Sequence, residues 1–151
     1  MNADEFTLIR HFEVPRERVF EAFTDPEIFR QWFGPETHPV QDCAIDAKPG
    51  GLLRIAMVAS DQARYPVVGQ FTVVDPLEHL AFTLATFPIP GGDYGFECSI
   101  AISFWQRHHR TLIEMRYKLL KAKPEHQQAA AASREGWEQS LDRLRNILER
   151  A

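Results

Sequence analysis

Residues 97–120 read ECSIAISFWQRHHRTLIEMRYKLL, and they decide the fold class. Apolar and polar side chains alternate in both halves of this stretch, which is typical of half-buried β-strands. The apolar face consists of Cys98, Ile100, Ile102 and Phe104 in the first half and of Ile113, Met115, Tyr117 and Leu119 in the second. The polar residues 107–110 interrupt the alternation. We therefore predict strands near 97–106 and 110–120, joined as a hairpin.

The same alternation extends back to about residue 40. It predicts further strands near 39–46, 52–59, 65–75 and 78–86. Residues typical of turns separate them, at 48–51, 60–61 and 75–76. Such short connections leave no room for crossover helices, so the sheet is expected to be antiparallel. The segment 88–95 contains two prolines and three glycines and is interpreted as a mobile loop, a kind of segment that gates pockets in some proteins.

One strand and two short helices are predicted before this region. The strand covers 6–14, where apolar side chains occupy alternate positions, and the first helix is expected to end near Thr24. Residues 24–27, Thr-Asp-Pro-Glu, supply an N-cap and a proline for the first turn of the second helix. That helix has an apolar face and closes at Gly34-Pro35. The face is formed by Ile28, Phe29, Trp32 and Phe33.

A long C-terminal helix is the last predicted element. It begins at Pro124-Glu125 and includes the strongly helix-forming alanines at 129–132. About 25 residues would span about 37 Å. One apolar stripe runs along it, formed by Trp137, Leu141, Leu144 and Leu148.

Composition restricts the class of protein. The chain has 151 residues, of which 44% are hydrophobic, and a net charge of -4. These values fit one globular domain over residues 1–151, which the predicted strands and helices assign to the α+β class, and they argue against nucleic-acid binding, which needs a basic surface. Cys43 and Cys98 are expected to be buried and inert. The polar, acidic start of the sequence, the absence of an apolar span and the low cysteine content favour a cytoplasmic location.

The order of elements predicts a cavity. A seven-stranded curved sheet has to cover its apolar concave face, and the C-terminal helix is the only predicted element long enough to do so. One helix rarely fills so large a concavity. We therefore expect a cavity between the sheet and this helix.

Several ordered motifs carry a family resemblance. Residues 10–27, RHFEVPRERVFEAFTDPE, resemble the opening of the START-like (SRPBCC) superfamily. More narrowly, the chain is similar to bacterial homologues of the activator of the ninety-kilodalton heat-shock chaperone ATPase. The other matching motifs are WFGP at 32–35, DAKPGG at 46–51, GQF at 69–71, LAFT at 80–83, GW at 136–137 and LDRL at 141–144.

This resemblance implies the helix-grip fold, which is shared with the major birch-pollen allergen and with polyketide cyclases. In that fold a curved antiparallel sheet wraps a long C-terminal helix, and two short helices follow the first strand. The chain departs from the family pattern at Phe33, Lys48 and His79, where the family usually has Trp, Arg and often Arg. These departures concern the pocket mouth and the turns more than the fold.

Two of the candidate site residues are aromatic residues of the second helix. Trp32 and Phe33 either line the mouth of the pocket or pack the short helix onto the sheet. Trp137 is either a core anchor or a ligand contact, since its indole N–H needs an acceptor.

Two polar residues are candidates because they share a face with apolar strand residues. Arg10 is predicted to point towards the concave side, where it either pairs with an Asp or Glu or orients an anionic or carbonyl ligand. The Tyr117 hydroxyl either reaches a ligand or bonds to a neighbouring strand. The complete predicted cavity lining is Arg10, Phe12, Phe23, Trp32, Phe33, Ile55, Met57, Phe71, Phe82, Ile102, Met115, Tyr117, Trp137 and Leu141.

No motif for a nucleophile, a metal site or a phosphate-binding turn is present. No catalytic residue, metal or cofactor is therefore predicted. The leading hypothesis is a module that binds an apolar small molecule, such as a lipid, an aromatic compound or a polyketide. The alternatives are a co-chaperone-like module with a protein partner, or a homodimer, and a cyclase- or hydrolase-like enzyme that uses the same cavity.

Overall fold

A seven-stranded antiparallel sheet forms the body of the protein. The computed structural model describes residues 4–34 and 37–150. The strands are β1 (Glu5–Phe12), β2 (Val40–Ile45), β3 (Leu52–Val58), β4 (Arg64–Asp75), β5 (His79–Ile89), β6 (Asp93–Arg107) and β7 (Arg110–Ala122). Their order across the sheet is β1-β7-β6-β5-β4-β3-β2. The predicted antiparallel sheet is confirmed, and every predicted strand is present.

Two short helices follow β1, as predicted: α1 (Arg16–Thr24) and α2 (Pro26–Trp32). The Asp25 carboxylate caps α2 by accepting a hydrogen bond from the Glu27 amide at 2.8 Å. Proline stands at the first position of α2, where no helical N–H is needed. Pro35, the last residue of the motif that closes this helix, lies outside the described residues.

The predicted mobile loop at 88–95 is wrong, because most of this segment is strand. Pro88 pairs with Tyr94 and Ile89 pairs with Asp93, so β5 and β6 continue almost to the tip of the hairpin. The chain reverses at Gly91 and Gly92, whose φ angles are +96° and +83°. Glycine adopts this left-handed conformation without steric cost, which allows a tight turn in place of a long loop.

The predicted C-terminal helix is confirmed, but the prediction of one continuous helix of about 25 residues is wrong. A 3-10 helix (Pro124–His126) and α3 (Gln127–Ala131) precede α4 (Ser133–Glu149). At the break the Ser133 hydroxyl donates to the Ala129 carbonyl at 3.1 Å. Such side-chain bonds to the preceding turn distort helices. The 17 residues of α4 span about 25 Å.

The core lies between the concave face of the sheet and the helices. The predicted apolar stripe of α4 is confirmed, because Trp137, Leu141, Leu144 and Leu148 are all buried. Trp32 is fully buried, and its indole N–H donates to the Ala22 carbonyl at 2.9 Å. Within the described residues, no helix is both long and apolar enough to cross a membrane.

Candidate functional site

A cleft of about 600 Å³ opens between the sheet and the start of α4. It lies where β3 ends and β4 begins, so that Met57 and Tyr65 form one wall. The middle strands supply Thr86, Phe87 and Phe96, and the loop before β2 supplies His38. The helical wall comes from Ala129, Ala132, Ser133, Glu135, Gly136 and Gln139.

The helical wall is set back because its inner residues are small. Ala129, Ala132 and Gly136 recur at intervals of three and four residues and therefore share one face. A Cβ atom built on Gly136 would meet no heavy atom within 4 Å. Space therefore exists where a larger side chain would otherwise pack.

A smaller cavity of about 150 Å³ adjoins this cleft. Both spaces are lined by Met57, Ser133 and Gly136, and the smaller one is also lined by Phe33 and Trp137. The rings of Phe33 and Trp137 contact each other edge to face, with centroids 5.6 Å apart. The apolar surface is therefore continuous from Phe96 at one end to Trp137 at the other.

A short chain of polar groups reaches the cleft wall at Ser133. The hydroxyl of Tyr117 lies 3.0 Å from Ser133 Oγ. Burial raises the pKa of Tyr117 to about 12, opposed by its hydrogen bond to Ser133. Burial likewise raises the pKa of the neighbouring Cys98 thiol to about 12. Tyr117 and Cys98 are therefore neutral at physiological pH.

Stability at alkaline pH should depend on Cys98. Its thiol ionises near pH 8.5 in an unfolded chain but near 12 in the native protein, so the unfolded state loses its proton first. The Cys98 thiol therefore makes its full contribution to the free energy of unfolding below about pH 8.5. This contribution is lost as the pH rises towards 12. We expect Cys98 to lower the free energy of unfolding by about 2 kcal/mol between pH 8 and pH 10.5. Urea denaturation of Cys98→Ala should show a correspondingly smaller loss, and an equal loss in both proteins would contradict the assignment.

Arg143 fastens the end of α2 to α4. One guanidinium nitrogen donates to the carbonyl oxygens of Trp32 at 2.9 Å and Gly34 at 2.7 Å. These carbonyls lie at the C-terminal end of α2, where the last carbonyls have no partner within the helix, and the Gly34 carbonyl also accepts from the Ser140 hydroxyl at 3.5 Å. The contact therefore positions Phe33 beside the smaller cavity.

Replacing Arg143 with methionine should lower the free energy of unfolding by about 2 kcal/mol. A hydrogen bond that involves a charged group contributes about 1.5–3 kcal/mol. The two bonds here come from one nitrogen of a part-buried guanidinium and are therefore counted as one, and methionine retains most of the aliphatic packing. Arg145→Met is the matched control, since Arg145 is exposed and bonds to Glu149 on its own helix. Chemical denaturation of the two variants measures the difference, and equal stabilities would show that Arg143 does not fasten α2.

The structure places the predicted site residues in three groups. Phe33, Met57 and Trp137 line the cavities. Most of the others fill the packed core instead, because the concave side chains pack against one another and against α1, α2 and α4. These buried residues are Phe12, Phe23, Trp32, Ile55, Phe71, Phe82, Ile102, Met115, Tyr117 and Leu141.

Arg10 lies apart from the cavities. Its guanidinium is 3.8 Å from a carboxylate oxygen of Glu138 and 3.8 Å from one of Asp142, both on α4. Of the two sequence interpretations, pairing with an acidic residue therefore describes its contacts. Arg10 links β1 to α4 and is not among the residues that line the two cavities.

Several cleft residues were missed by the sequence analysis. The small residues Ala129, Ala132 and Gly136 were interpreted only as helix formers or as part of a motif. Their shared spacing is a signal of space on one helix face. His38, Tyr65 and Phe87 carry no comparable signal, because their position depends on how distant strands meet.

Metal and thiol chemistry find no support in the part of the chain that the structure describes. No group of three or more His, Cys, Asp or Glu side chains there is arranged to hold a metal ion. Burial raises the pKa of Cys43 to about 11. Both thiols therefore remain protonated and poorly nucleophilic near neutral pH.

Solved structures share this fold over nearly the whole chain. A solution structure of an Arthrobacter aurescens protein is 19% identical, with a TM-score of 0.85 over 99% of this chain and 88% of that chain. A Nitrosomonas europaea protein is 21% identical, with a TM-score of 0.80 over 99% and 96%. The AHSA1 protein of Silicibacter pomeroyi is 25% identical, with a TM-score of 0.73 over 95% and 96%.

Sequence comparison gives the family. No curated protein matches the chain significantly. The family model described as activator of Hsp90 ATPase homolog 1-like protein matches residues 13–149. This match covers most of the chain and agrees with the motifs at 10–27 and 136–144. The protein therefore belongs to the family of activator of Hsp90 ATPase homolog 1-like proteins.

Proposed function

We propose that the protein binds an apolar small molecule in the cleft between the sheet and α4. The observation that carries this proposal is the open, largely apolar space beside Gly136, bounded by Met57, Phe87 and Phe96. Its volume of about 600 Å³ lies within the range of small-molecule pockets, roughly 300–1,000 Å³. A ligand with two or three fused or linked rings fits such a space.

The wall also has features of a binding site that a packing defect would lack. The core around it is closely packed with aromatic pairs, whereas the cleft itself is lined by small helical residues. Polar groups are supplied by His38, Tyr65, Thr86, Ser133, Glu135 and Gln139. An apolar surface with a few placed polar groups is the usual composition of a ligand pocket.

Titration with N-phenyl-1-naphthylamine, a neutral dye that fluoresces in apolar surroundings, tests this proposal. We expect saturable fluorescence with one dye per chain and a dissociation constant in the micromolar range. Binding should also raise the melting temperature, because the dye binds the native state alone. The proposal fails if fluorescence rises without saturation or only after partial denaturation.

Interaction with a chaperone is the second candidate. The family name refers to activation of the Hsp90 ATPase, and the described strands expose five large apolar side chains, at Ile9, Leu52, Val73, Trp105 and Leu120. Ile9 is 52% exposed and Trp105 is 49% exposed. If these side chains contact a chaperone, the protein should stimulate the ATPase of a bacterial Hsp90, and Trp105→Ala should reduce that stimulation. Lack of stimulation by the unaltered protein would exclude this candidate.

A further inference from the structure

Two hydroxyl groups on the cleft wall already use their protons in hydrogen bonds to backbone carbonyl oxygens. Ser133 Oγ lies 3.1 Å from the Ala129 carbonyl oxygen, and Thr86 Oγ1 lies 2.6 Å from the Pro66 carbonyl oxygen. A carbonyl oxygen only accepts, so each hydroxyl must be the donor. Because a hydroxyl has one proton, both groups can offer a ligand only lone pairs.

The contact between Tyr117 and Ser133 has the same consequence. The proton of Ser133 is directed to Ala129, so the Tyr117 hydroxyl must donate across the 3.0 Å to Ser133 Oγ. Tyr117 therefore has no proton left for a ligand. The chain of hydrogen bonds leaves one accepting position on Ser133, at the junction of the two cavities.

The charge of the cleft wall also disfavours an anionic ligand. Among the described lining residues the only carboxylate or permanently charged group is Glu135, and a carboxylate only accepts. The Gln139 amide donates to Glu135 at 3.3 Å. The arginine nearest in sequence, Arg134, lies 3.7 Å from a carboxylate oxygen of Glu138, with its guanidinium 5.6 Å from the centroid of the Phe6 ring. Arg10 pairs with Glu138 and Asp142, and Arg143 donates to the carbonyls at the end of α2. An anionic ligand beside Ser133 and Glu135 would therefore meet lone pairs and a negative charge, and the indole N–H of Trp137 is a donor in the lining of the smaller cavity.

We propose that the cleft selects neutral or cationic aromatic ligands with a hydrogen-bond donor, such as a phenolic hydroxyl or an amine, and discriminates against carboxylates. This inference rests on the proposed function. A donor placed at Ser133 satisfies the remaining lone pair, whereas a carboxylate loses its water there and gains no donor. His38 and Tyr65, at the mouth, carry groups that both donate and accept, so they do not bias the choice.

Three probes of one ring size test this selectivity at pH 7.5, by displacement of N-phenyl-1-naphthylamine and by calorimetry. They are 1-naphthol, 1-methoxynaphthalene and 1-naphthoate, which present a donor, an ether and a carboxylate. We expect 1-naphthol to bind about fivefold more tightly than 1-methoxynaphthalene, the value of one ordinary hydrogen bond. We expect 1-naphthoate to bind at least about tenfold more weakly than 1-naphthol.

Two variants and a control assign the selectivity to named groups. Ser133→Ala should reduce the preference for 1-naphthol over 1-methoxynaphthalene to about one or below, because Tyr117 then has a proton to donate. Glu135→Gln should tighten the binding of 1-naphthoate several-fold by removing the like charge. Ser60→Ala, an exposed position in the turn after β3, should leave all three affinities unchanged.

The outcomes separate this inference from the proposed function. Equal affinities for the three probes, tightest binding of 1-naphthoate, or an unchanged preference in Ser133→Ala would overturn the selectivity and leave the cleft as a binding site. If none of the three probes binds, both the selectivity and the proposed function are wrong.

Discussion

Replacing Trp32 with alanine is expected to lower the free energy of unfolding by about 3–5 kcal/mol. The side chain is fully buried, and its ring lies 4.8 Å from that of Phe23 and 5.0 Å from that of Phe29. Alanine would leave a cavity among these rings and remove the donor that satisfies the Ala22 carbonyl. Urea denaturation should show a lower midpoint with an unchanged slope.

Trp105→Ala is the matched control for this prediction. It removes the same side chain from a position on β6 that is 49% exposed. A surface substitution of this kind should change the free energy of unfolding by about 0.5 kcal/mol or less. A loss below about 1 kcal/mol in Trp32→Ala would mean that Trp32 is not a core anchor and that the packing around α2 is different.

Replacing Gly136 with leucine should block the cleft without destabilising the protein. The new side chain would enter open space, because a Cβ atom at this position meets no heavy atom within 4 Å. Leucine also favours the helical state over glycine by about 0.8 kcal/mol. We therefore expect equal or slightly greater stability and at least a tenfold loss of affinity for N-phenyl-1-naphthylamine, the change that about 1.4 kcal/mol produces.

Asn146→Leu is the control for adding a leucine to the same helix. Asn146 is exposed on α4 and lies outside both cavities. It should leave dye affinity unchanged. If Gly136→Leu is folded and binds the dye as tightly as the unaltered protein, the dye does not occupy the cleft.

The side of the sheet that each residue faces follows from the sequence. Ile100, Ile102, Ile113 and Met115 were predicted to share one face, and all four are buried. The reason is local, because successive strand side chains point to opposite faces. The stripe of α4 follows in the same way from its period of three and four residues.

Whether a residue on the buried face of an element packs against another side chain or lines a cavity does not follow from the sequence. Trp32 and Phe33 are neighbours, yet Trp32 is sealed in the core while Phe33 lines a cavity. The difference depends on how α2 packs against α4, a contact between segments about 100 residues apart. Arg10 shows the same limit, because its carboxylate partners lie on α4 and β1 alone gives no sign of them.

Two predicted elements differ from the structure, and each difference has a local physical cause. Two prolines and three glycines were taken to exclude pairing in 88–95, although Pro88 still pairs with Tyr94. The pairing is interrupted at the turn of Gly91 and Gly92 and at Gly95 opposite Phe87. In the C-terminal segment, the high helix propensity of 129–132 favours one continuous helix. The hydrogen bond from the Ser133 hydroxyl to the Ala129 carbonyl competes with this regular helix.

Methionine methyl NMR during a titration with 1-naphthol tests ligand binding in the cleft most directly. The chain has three methionines, of which Met57 and Met115 lie in the described residues and report on different places. Met57 lines both cavities, whereas Met115 is fully buried in the core. We predict a saturable shift of the Met57 methyl signal, by ring current, and little change at Met115, with the signals assigned from Met57→Leu and Met115→Leu. A Met57 signal that stays unshifted while 1-naphthol binds would contradict the placement of the ligand in this cleft.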